Sequence, residues 1–257
     1  MNKISPLAFI DPEAKIGTNC EIGPFCFIDK NVVIGDNNIL MNSVTVLSGA
    51  RIGNGNTLFP GAVIAAVPQD LKFKGEDTTA IVGDNNKIRE NVTINRGTAA
   101  KGETRVGSNN LLMEGVHVAH DAIVGNGCII GNSTKLAGET VIDDFAILSA
   151  SVLMHQFCRV GSYSMIGGGT RFSQNVPPYS MCAREPAAYC GLNIVGLRRR
   201  GFSNETIENI HNAYRIIYQQ GLKLDDALAK IKEEVPASPE IEYIIRFIED
   251  SKRGFIH

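Results

Sequence analysis

The sequence predicts a mainly β protein, a parallel β-helix built as a prism of short strands and followed by a small α-helical domain. Three observations predict this architecture. An aliphatic residue recurs at every sixth position over long stretches between Ile10 and Phe172, and a small residue often follows it four positions later. The repeat ends at Pro177-Pro178, and beyond these prolines the apolar residues recur at helical spacing.

The six-residue repeat determines the architecture predicted for the first domain. A period of six matches neither an α-helix nor a simple alternating strand, but it matches coils of three short strands with one repeat per strand. Such coils stack at ~4.8 Å through backbone hydrogen bonds, and each strand sends one aliphatic side chain to the axis. Glycine often follows the aliphatic residue and is expected to supply the backbone freedom that corners need. The repeated residues are Ile10, Ile16, Ile22, Ile28, Ile34, Leu40, Val46, Ile52, Leu58, Ile64, Val82, Ile88, Ile94, Val106, Leu112, Val118, Val124, Ile130, Leu136, Ile142, Leu148, Met154, Val160, Ile166 and Phe172.

Two segments lack the repeat and are predicted to be loops that leave the prism at its corners. They lie near residues 65–80 and 97–105, and both are polar and contain glycine. We assign residues 1–178 to the β-helix and residues 179–257 to a connecting segment and the helical domain. Loops on a rigid scaffold often carry binding residues.

Three helices are predicted after the β-helix. The first has Ser203 as its N-cap and ends at Gly221. The second spans Leu224–Glu234, and the third begins with Ser238 as N-cap and Pro239 in the first position.

The six cysteines show no metal-ligand spacing such as CxxC. Four of them occupy the small inward position of the repeat, and we predict that these four are reduced packing residues. They are Cys20, Cys26, Cys128 and Cys158.

Composition excludes several classes of function. The net charge of −2 indicates no affinity for nucleic acid or for an anionic membrane surface. No stretch approaches the ~18 consecutive apolar residues of a membrane span, and the N-terminus does not resemble a signal peptide. We therefore expect a soluble, cytoplasmic protein with no membrane span and no nucleic-acid partner.

Residues three repeats apart should stack above one another from Val106 onward, because the repeat there is unbroken. His120 then shares a column with Gly138 and Gln156, and Asp121 shares the next column with Glu139. We expect both columns to face outward. We also expect His117, at a corner before His120, and His155, beside Gln156, to belong to the same ridge.

This ridge has the groups needed for general-base chemistry. Histidine titrates near neutral pH, so His120 is a candidate base. Asp121 could fix its tautomer and stabilise the imidazolium. Gly138, which lacks a side chain, could direct its backbone N–H at an oxyanion, a contact worth ~2.7–4 kcal/mol in the transition state.

Two other interpretations of the ridge remain open. A His-Asp corner without any role is one, although the clustering with His117, His155 and Glu139 argues against it. A zinc site is the other, because three histidines suit catalytic zinc. However, His155 lies about two coils from the other two histidines.

Two further groups are candidate ligand contacts. Gln69, Asp70 and Lys72 lie in the first loop and are equally compatible with an ordinary solvated loop. Arg198–Arg200 could bind a phosphate or diphosphate, because guanidinium groups match those oxygens, or could form a basic turn between domains.

Several motifs together resemble one family, the UDP-N-acetylglucosamine O-acyltransferases, whose fold is a left-handed parallel β-helix. The resemblance covers essentially the whole chain and implies the left hand, which the spacing alone does not predict. The motifs are PQDLK at 68–72, NRGT at 95–98, HVAHD at 117–121, LAG at 136–138, HQFC at 155–158, VPPY at 176–179 and GLRRRGF at 196–202.

The resemblance implies the first step of lipid A biosynthesis. The expected reaction transfers an (R)-3-hydroxyacyl group from acyl carrier protein to the 3-hydroxyl of UDP-N-acetylglucosamine, without a cofactor or metal. It implies a homotrimer with active sites in the clefts between prisms. By the same resemblance, His120 is the general base, Asp121 its supporting acid and Gly138 the backbone oxyanion donor.

The resemblance also implies a set of substrate-binding residues. Gly168 matches the position that limits acyl length, and a glycine there implies a chain of about fourteen carbons or more. The residues expected to contact the sugar nucleotide or the acyl donor are Gln69, Asp70, Lys72, His117, Glu139, His155, Gln156, Asn193, Arg199 and Arg200.

Three residues depart from the family pattern. Asn95 and Glu139 stand where relatives often carry histidine, and Val195 stands where they carry an acid near the nucleotide. The alternatives that remain are another acyltransferase of this architecture, acting on an amine or using coenzyme A, and a prism scaffold without enzymatic activity.

Overall fold

The computed structural model describes residues 1–257. It contains 28 strands and four helices, and most of the strands have only two residues. In chain order the strands are β1 (Lys3–Ile4), β2 (Phe9–Ile10), β3 (Lys15–Ile16), β4 (Glu21–Ile22), β5 (Phe27–Ile28), β6 (Val33–Ile34), β7 (Ile39–Leu40), β8 (Thr45–Val46), β9 (Ala50–Ile52), β10 (Thr57–Leu58), β11 (Val63–Ala66), β12 (Thr79–Val82), β13 (Lys87–Ile88), β14 (Thr93–Asn95), β15 (Glu103–Val106), β16 (Leu111–Leu112), β17 (His117–Val118), β18 (Ile123–Val124), β19 (Ile129–Ile130), β20 (Lys135–Leu136), β21 (Val141–Ile142), β22 (Ile147–Leu148), β23 (Leu153–Met154), β24 (Arg159–Val160), β25 (Met165–Ile166), β26 (Arg171–Phe172), β27 (Ser180–Ala183) and β28 (Ala188–Leu192).

The strands form three parallel sheets, which are the faces of a triangular prism. Face A runs from β1 in steps of three strands to β25 and continues with β27 and β28. Face B runs in the same way from β2 to β26, and face C runs from β3 to β24. The predicted parallel β-helix is confirmed.

The register confirms that three repeats make one coil. Lys3 pairs with Glu21, and His117 pairs with Lys135. The second residue of nearly every two-residue strand is an aliphatic residue of the repeat, and most of these side chains are buried at the axis. One face of each short strand is therefore committed to the core, and the other faces outward.

The glycines that directly follow the aliphatic residues do not supply the corner conformation, because none of them has a positive φ, whereas other glycines such as Gly55 and Gly115 do. The residues with positive φ at the corners are mostly asparagine and other non-glycine residues. Gly125, which follows an aliphatic residue, is needed for close approach instead, because an added Cβ would lie 2.9 Å from the backbone nitrogen of Asp144 in the next coil.

Two loops interrupt the stacking, and both are shorter than predicted. The first spans 67–78, because β11 and β12 extend into the predicted segment, and the second spans 96–102. Thr57 pairs with Lys87, and Lys87 pairs with Leu111. The coil from Thr57 to Lys87 is therefore longer than an ordinary coil by the length of two repeats. The coil from Lys87 to Leu111 is longer by the length of one repeat.

Face A continues beyond the predicted boundary at residue 178. Met165 pairs with Met181, because the coil through Pro177-Pro178 is slightly shorter than three repeats and leaves the repeat frame. β27 then pairs antiparallel with β28. The sequence did not predict this hairpin.

The three predicted helices are confirmed, and a fourth precedes them. α1 (Ile194–Arg199) lies in the predicted connecting segment and was missed because it is only six residues long. Ser203 and Ser238 cap their helices as predicted. The remaining helices are α2 (Asn204–Gln219), α3 (Leu224–Glu234) and α4 (Pro239–Glu249), and no helix is long and apolar enough to cross a membrane.

All six cysteines are free thiols, and the four in the repeat are buried as predicted. Burial raises the pKa of the Cys128 thiol to about 12. These side chains therefore serve as small apolar residues of the core.

Candidate active site

His120 lies at the prism edge where face B turns into face C, between β17 and β18. Its side chain is 11% exposed, and its Nδ1 lies 2.8 Å from Oδ2 of Asp121. Asp121 has a φ of 61°, a left-handed conformation that aspartate tolerates better than most residues. The corner therefore directs two consecutive side chains at each other.

Asp121 is not part of the prism core, but its side chain is completely buried rather than exposed at the prism surface. The loop 96–102 covers it. Thr98 donates its backbone N–H to Oδ1 at 2.9 Å and its hydroxyl to Oδ2 at 2.6 Å. The Asp121 N–H in turn donates to the Thr104 hydroxyl at 2.7 Å.

These hydrogen bonds control the charge of Asp121. Burial by itself raises the pKa of the Asp121 carboxyl, but hydrogen bonds from Thr98 and His120 outweigh burial and hold the pKa below its ordinary value. The carboxylate is therefore ionised at neutral pH and can only accept hydrogen bonds. In the neutral form of the His120 ring, Nδ1 must then carry the proton that Asp121 accepts, which leaves the lone pair on Nε2.

Gly138 lies against the His120 ring, as the column arithmetic predicted. A Cβ added at Gly138 would lie 2.6 Å from Cε1 and 2.7 Å from Nε2 of His120. The backbone N–H of Gly138 donates to no group of this chain. This N–H is therefore free to bind a ligand atom beside the imidazole.

A cleft of about 1040 Å³ opens along face B beside this corner. The residues that line it are Gln69, His117, Ala119, His120, Lys135, Leu136, Ala137, Gly138, Leu153, Met154, His155, Gln156, Arg171, Phe172, Ser173, Gln174, Glu185, Pro186, Ala187 and Ile256. Six of these were predicted from the sequence as site residues, and they meet in this cleft: Gln69, His117, His120, Gly138, His155 and Gln156.

His117 lies in β17 rather than at a corner, which corrects its predicted position. Its Nδ1 lies 2.7 Å from the Thr93 hydroxyl. Burial, with the nearby charges of Lys135 and His120, lowers the pKa of His117. The ring is therefore held neutral and can offer a hydrogen bond to a ligand.

Three predicted residues lie close to the cleft without lining it. Asp70 and Lys72 are in the loop 67–78 after Gln69, and Asp70 accepts the Lys72 N–H at 2.9 Å. Glu139 follows Gly138 at the corner and is half-buried.

The remaining predicted residues lie on other edges of the prism. Asn193 is buried, and its side chain caps α1 by accepting the Gly196 N–H. Arg199 is exposed near the end of α1, and the Arg200 guanidinium lies over the ring of Phe145 at the C–A edge. Gly168 lies at the A–B edge. One chain does not bring these residues to His120.

Several residues of the site were not predicted from the sequence. Lys135 and Arg171 stand in one column with His117 on face B, as the register shows. Extending the column arithmetic from His117 would have found both. Glu185 comes from the hairpin β27–β28, for which the sequence offered no signal.

No group of three or more His, Cys, Asp or Glu side chains is placed so that it could hold a metal ion. Two of the three histidines that line the cleft, His117 and His155, are engaged instead with the Thr93 hydroxyl and the Gln156 carbonyl. The arrangement at His120 is that of a base oriented by a buried carboxylate.

Two family models match the chain. One, described as UDP N-acetylglucosamine O-acyltransferase, domain 2, matches residues 175–256. The other, described as bacterial transferase hexapeptide (six repeats), matches residues 103–138.

Solved structures of high similarity extend over the whole chain. The UDP-N-acetylglucosamine acyltransferase of Bacteroides fragilis 9343 is 73% identical, with 99% of this chain and 100% of that chain covered and a TM-score of 0.98. The Francisella novicida enzyme is 41% identical, with 98% and 93% covered and a TM-score of 0.95. The Arabidopsis enzyme is 32% identical, with 99% and 100% covered and a TM-score of 0.89.

The left-handed parallel β-helix of six-residue repeats, with a histidine and a buried aspartate beside a cleft, defines an acyltransferase of the hexapeptide-repeat class. The similarity extends through the C-terminal helices as well as the prism. The chain belongs to the UDP-N-acetylglucosamine O-acyltransferase family. The resemblance noted in the sequence is thereby confirmed.

Proposed function

We propose that this protein transfers an (R)-3-hydroxyacyl group from acyl carrier protein to the 3-hydroxyl of UDP-N-acetylglucosamine, the first step of lipid A biosynthesis. His120 is the general base. The observation that carries the proposal is the His120–Asp121 contact of 2.8 Å at the wall of the cleft. Family membership supports the choice of sugar nucleotide.

The reaction needs no redox chemistry. The 3-hydroxyl oxygen attacks the thioester carbonyl carbon while its proton passes to Nε2 of His120. The resulting oxyanion accepts a hydrogen bond from the free N–H of Gly138. When the tetrahedral intermediate collapses, the C–S bond breaks, and the imidazolium returns the proton to the leaving thiolate. Asp121 remains ionised throughout and stabilises the imidazolium.

We place each active site between two subunits of a homotrimer. His120 lies on the B–C edge, Gly168 on the A–B edge and Arg200 at the C–A edge of one chain. The three edges of a prism run parallel and lie apart, so Asn193, Arg199 and Arg200 can meet the cleft only if another copy of the chain supplies them. This division accounts for predicted site residues that one chain leaves apart.

We assign the sugar nucleotide to the cleft and its neighbouring loop. Gln69, Asp70 and Lys72 in the loop 67–78, with Glu139 at the corner, contact the sugar. His117, His155 and Gln156 bind the sugar nucleotide or the acyl donor. Lys135 and Arg171 add positive charge along the same wall, which suits a diphosphate.

Gly168 is the proposed limit on acyl length. It is exposed, and an added Cβ would make only ordinary contact, 3.4 Å from the Ala150 carbonyl oxygen. A glycine at this position therefore leaves room for a long chain, and we propose a length of about fourteen carbons or more on the basis of the family resemblance.

The experiment is a donor series with the purified protein and UDP-N-acetylglucosamine. We expect transfer from carrier-bound (R)-3-hydroxyacyl groups, with little from the matching coenzyme A thioesters. Gly168→Met is expected to move the preferred donor to a shorter chain while transfer of short acyl groups continues. Equal use of coenzyme A donors, or no binding of the sugar nucleotide in calorimetry, would contradict the proposal.

We assign the protein to the cytoplasm, where acyl carrier protein is found. Free thiols are typical of a reducing compartment, and all six cysteines are free. We propose no nucleic-acid partner, in keeping with the net charge of −2.

A further inference from the structure

The loop 96–102 is closed by contacts between its own backbone groups. Its two ends approach closely at Gly97, where an added Cβ would lie 2.3 Å from the backbone nitrogen of Glu103. Inside the loop, the Gly102 N–H donates to the Thr98 carbonyl at 2.7 Å. The loop is therefore a closed turn that holds Thr98 in place over the B–C edge.

Thr98 makes two direct contacts with the Asp121 carboxylate, one to each oxygen. Its backbone N–H lies 2.9 Å from Oδ1 and its hydroxyl 2.6 Å from Oδ2. The Ala100 N–H donates to the same hydroxyl at 3.2 Å, so the hydroxyl proton is directed at Asp121. Thr98 is 7% exposed and Asp121 is 0% exposed, which means that water does not compete for these bonds.

The second carboxylate oxygen connects this loop with the imidazole. Oδ2 of Asp121 accepts from the Thr98 hydroxyl and lies 2.8 Å from Nδ1 of His120. Rotation of the carboxylate away from His120 would break both bonds from Thr98 and leave a buried charge without partners. The loop therefore determines where the acceptor for Nδ1 stands.

We propose that Thr98 is a positioning residue for the His120–Asp121 pair: it fixes the carboxylate so that the His120 proton resides on Nδ1 and the Nε2 lone pair faces the cleft. The inference rests on the proposed role of His120 as base. Thr98 does not line the cleft and acts only through Asp121. The loop 96–102, which interrupts the regular coil, thereby contributes to catalysis through Thr98, a residue that does not contact the sugar.

The test compares three variants. Thr98→Val keeps the shape of the side chain but removes the hydroxyl, and Thr98→Ser restores it. Thr134→Val is the matched control, because Thr134 is also buried and its hydroxyl makes two hydrogen bonds, to the Ser149 carbonyl and from the Val152 N–H, at another edge.

We expect Thr98→Val to lower kcat by about 10- to 100-fold, the effect of losing a hydrogen bond to a charged group. The KM for UDP-N-acetylglucosamine should change little, Thr98→Ser should recover most of the rate, and Thr134→Val should keep the wild-type rate. Side-chain ¹⁵N NMR should show His120 protonated on Nδ1 in the wild type and a mixture of tautomers in Thr98→Val.

Wild-type kcat in Thr98→Val would overturn the inference. So would a wild-type spectrum with the proton on Nε2, a measurement that needs no variant to fold. Failure of the proposed function is a separate result: it would show as normal turnover in His120→Ala, while the tautomer spectra would still report on the Thr98 contact.

Discussion

His120→Ala is expected to lower turnover by about 10²–10⁴-fold or more, because the variant lacks the base that removes the proton from the 3-hydroxyl. The side chain is not part of the prism core, and Asp121 keeps both hydrogen bonds from Thr98 but loses the one from His120, so the thermal unfolding temperature of the variant should fall only slightly. Binding of UDP-N-acetylglucosamine in calorimetry should weaken only modestly. Steady-state transfer of the carrier-bound acyl group measures the loss.

The chain offers a matched control for this substitution. His211 is exposed on α2, and its only ionic neighbour is Glu208 at 4.0 Å. His211→Ala should therefore have the wild-type rate. Near-normal turnover in purified His120→Ala would remove His120 from the proposed mechanism.

Gly138→Ala is expected to reduce kcat by about 10²-fold or more, because misplacement of a reacting group by ~1 Å has that effect. The added methyl group would lie 2.7 Å from Nε2 of His120, so the imidazole must move. Gly138 has no positive φ, and the backbone N–H is retained. The expected loss therefore reports on the position of the base and on access to the oxyanion position rather than on backbone strain.

Gly168→Ala provides the comparison at the equivalent corner position of another edge. The methyl group meets nothing closer than 3.4 Å there, so transfer of a short acyl group should continue at the wild-type rate. A crystal structure of Gly138→Ala should show the His120 ring displaced. A His120 ring that keeps its wild-type position, together with normal turnover, would contradict the proposed packing of Gly138 against the imidazole.

The stacking of the site was predictable from the sequence because the repeat has no insertion after Val106. Arithmetic in steps of three repeats placed Gly138 over His120, and the structure places an added Cβ within 2.7 Å of the imidazole. The same arithmetic would have found Lys135 and Arg171 had it started from His117. In a repeat without insertions, the number of residues between two positions directly gives their relative location in the fold.

The environment of Asp121 was not predictable in this way. The loop that buries it lies outside the repeat. The periodicity of the repeat carries no information about how an inserted loop folds over a corner. The segment NRGT at 95–98 contributes to the family resemblance, but its sequence alone does not predict the contacts of Thr98 with Asp121.

Two other properties lie beyond sequence spacing. The hand of the β-helix depends on corner conformations, and inward and outward positions alternate in the same way for either hand. The relation of Asn193, Arg199 and Arg200 to His120 depends on how copies of the chain associate. Because these residues lie on different edges, periodicity within one chain cannot connect them.

A crystal structure with UDP-N-acetylglucosamine bound would test the role of His120 as the base. We predict the sugar in the face B cleft, with its 3-hydroxyl oxygen about 2.6–3.2 Å from Nε2 of His120, the reach of a general base. A sugar bound in this cleft with its 3-hydroxyl directed away from His120, or bound at another edge of the prism, would contradict it.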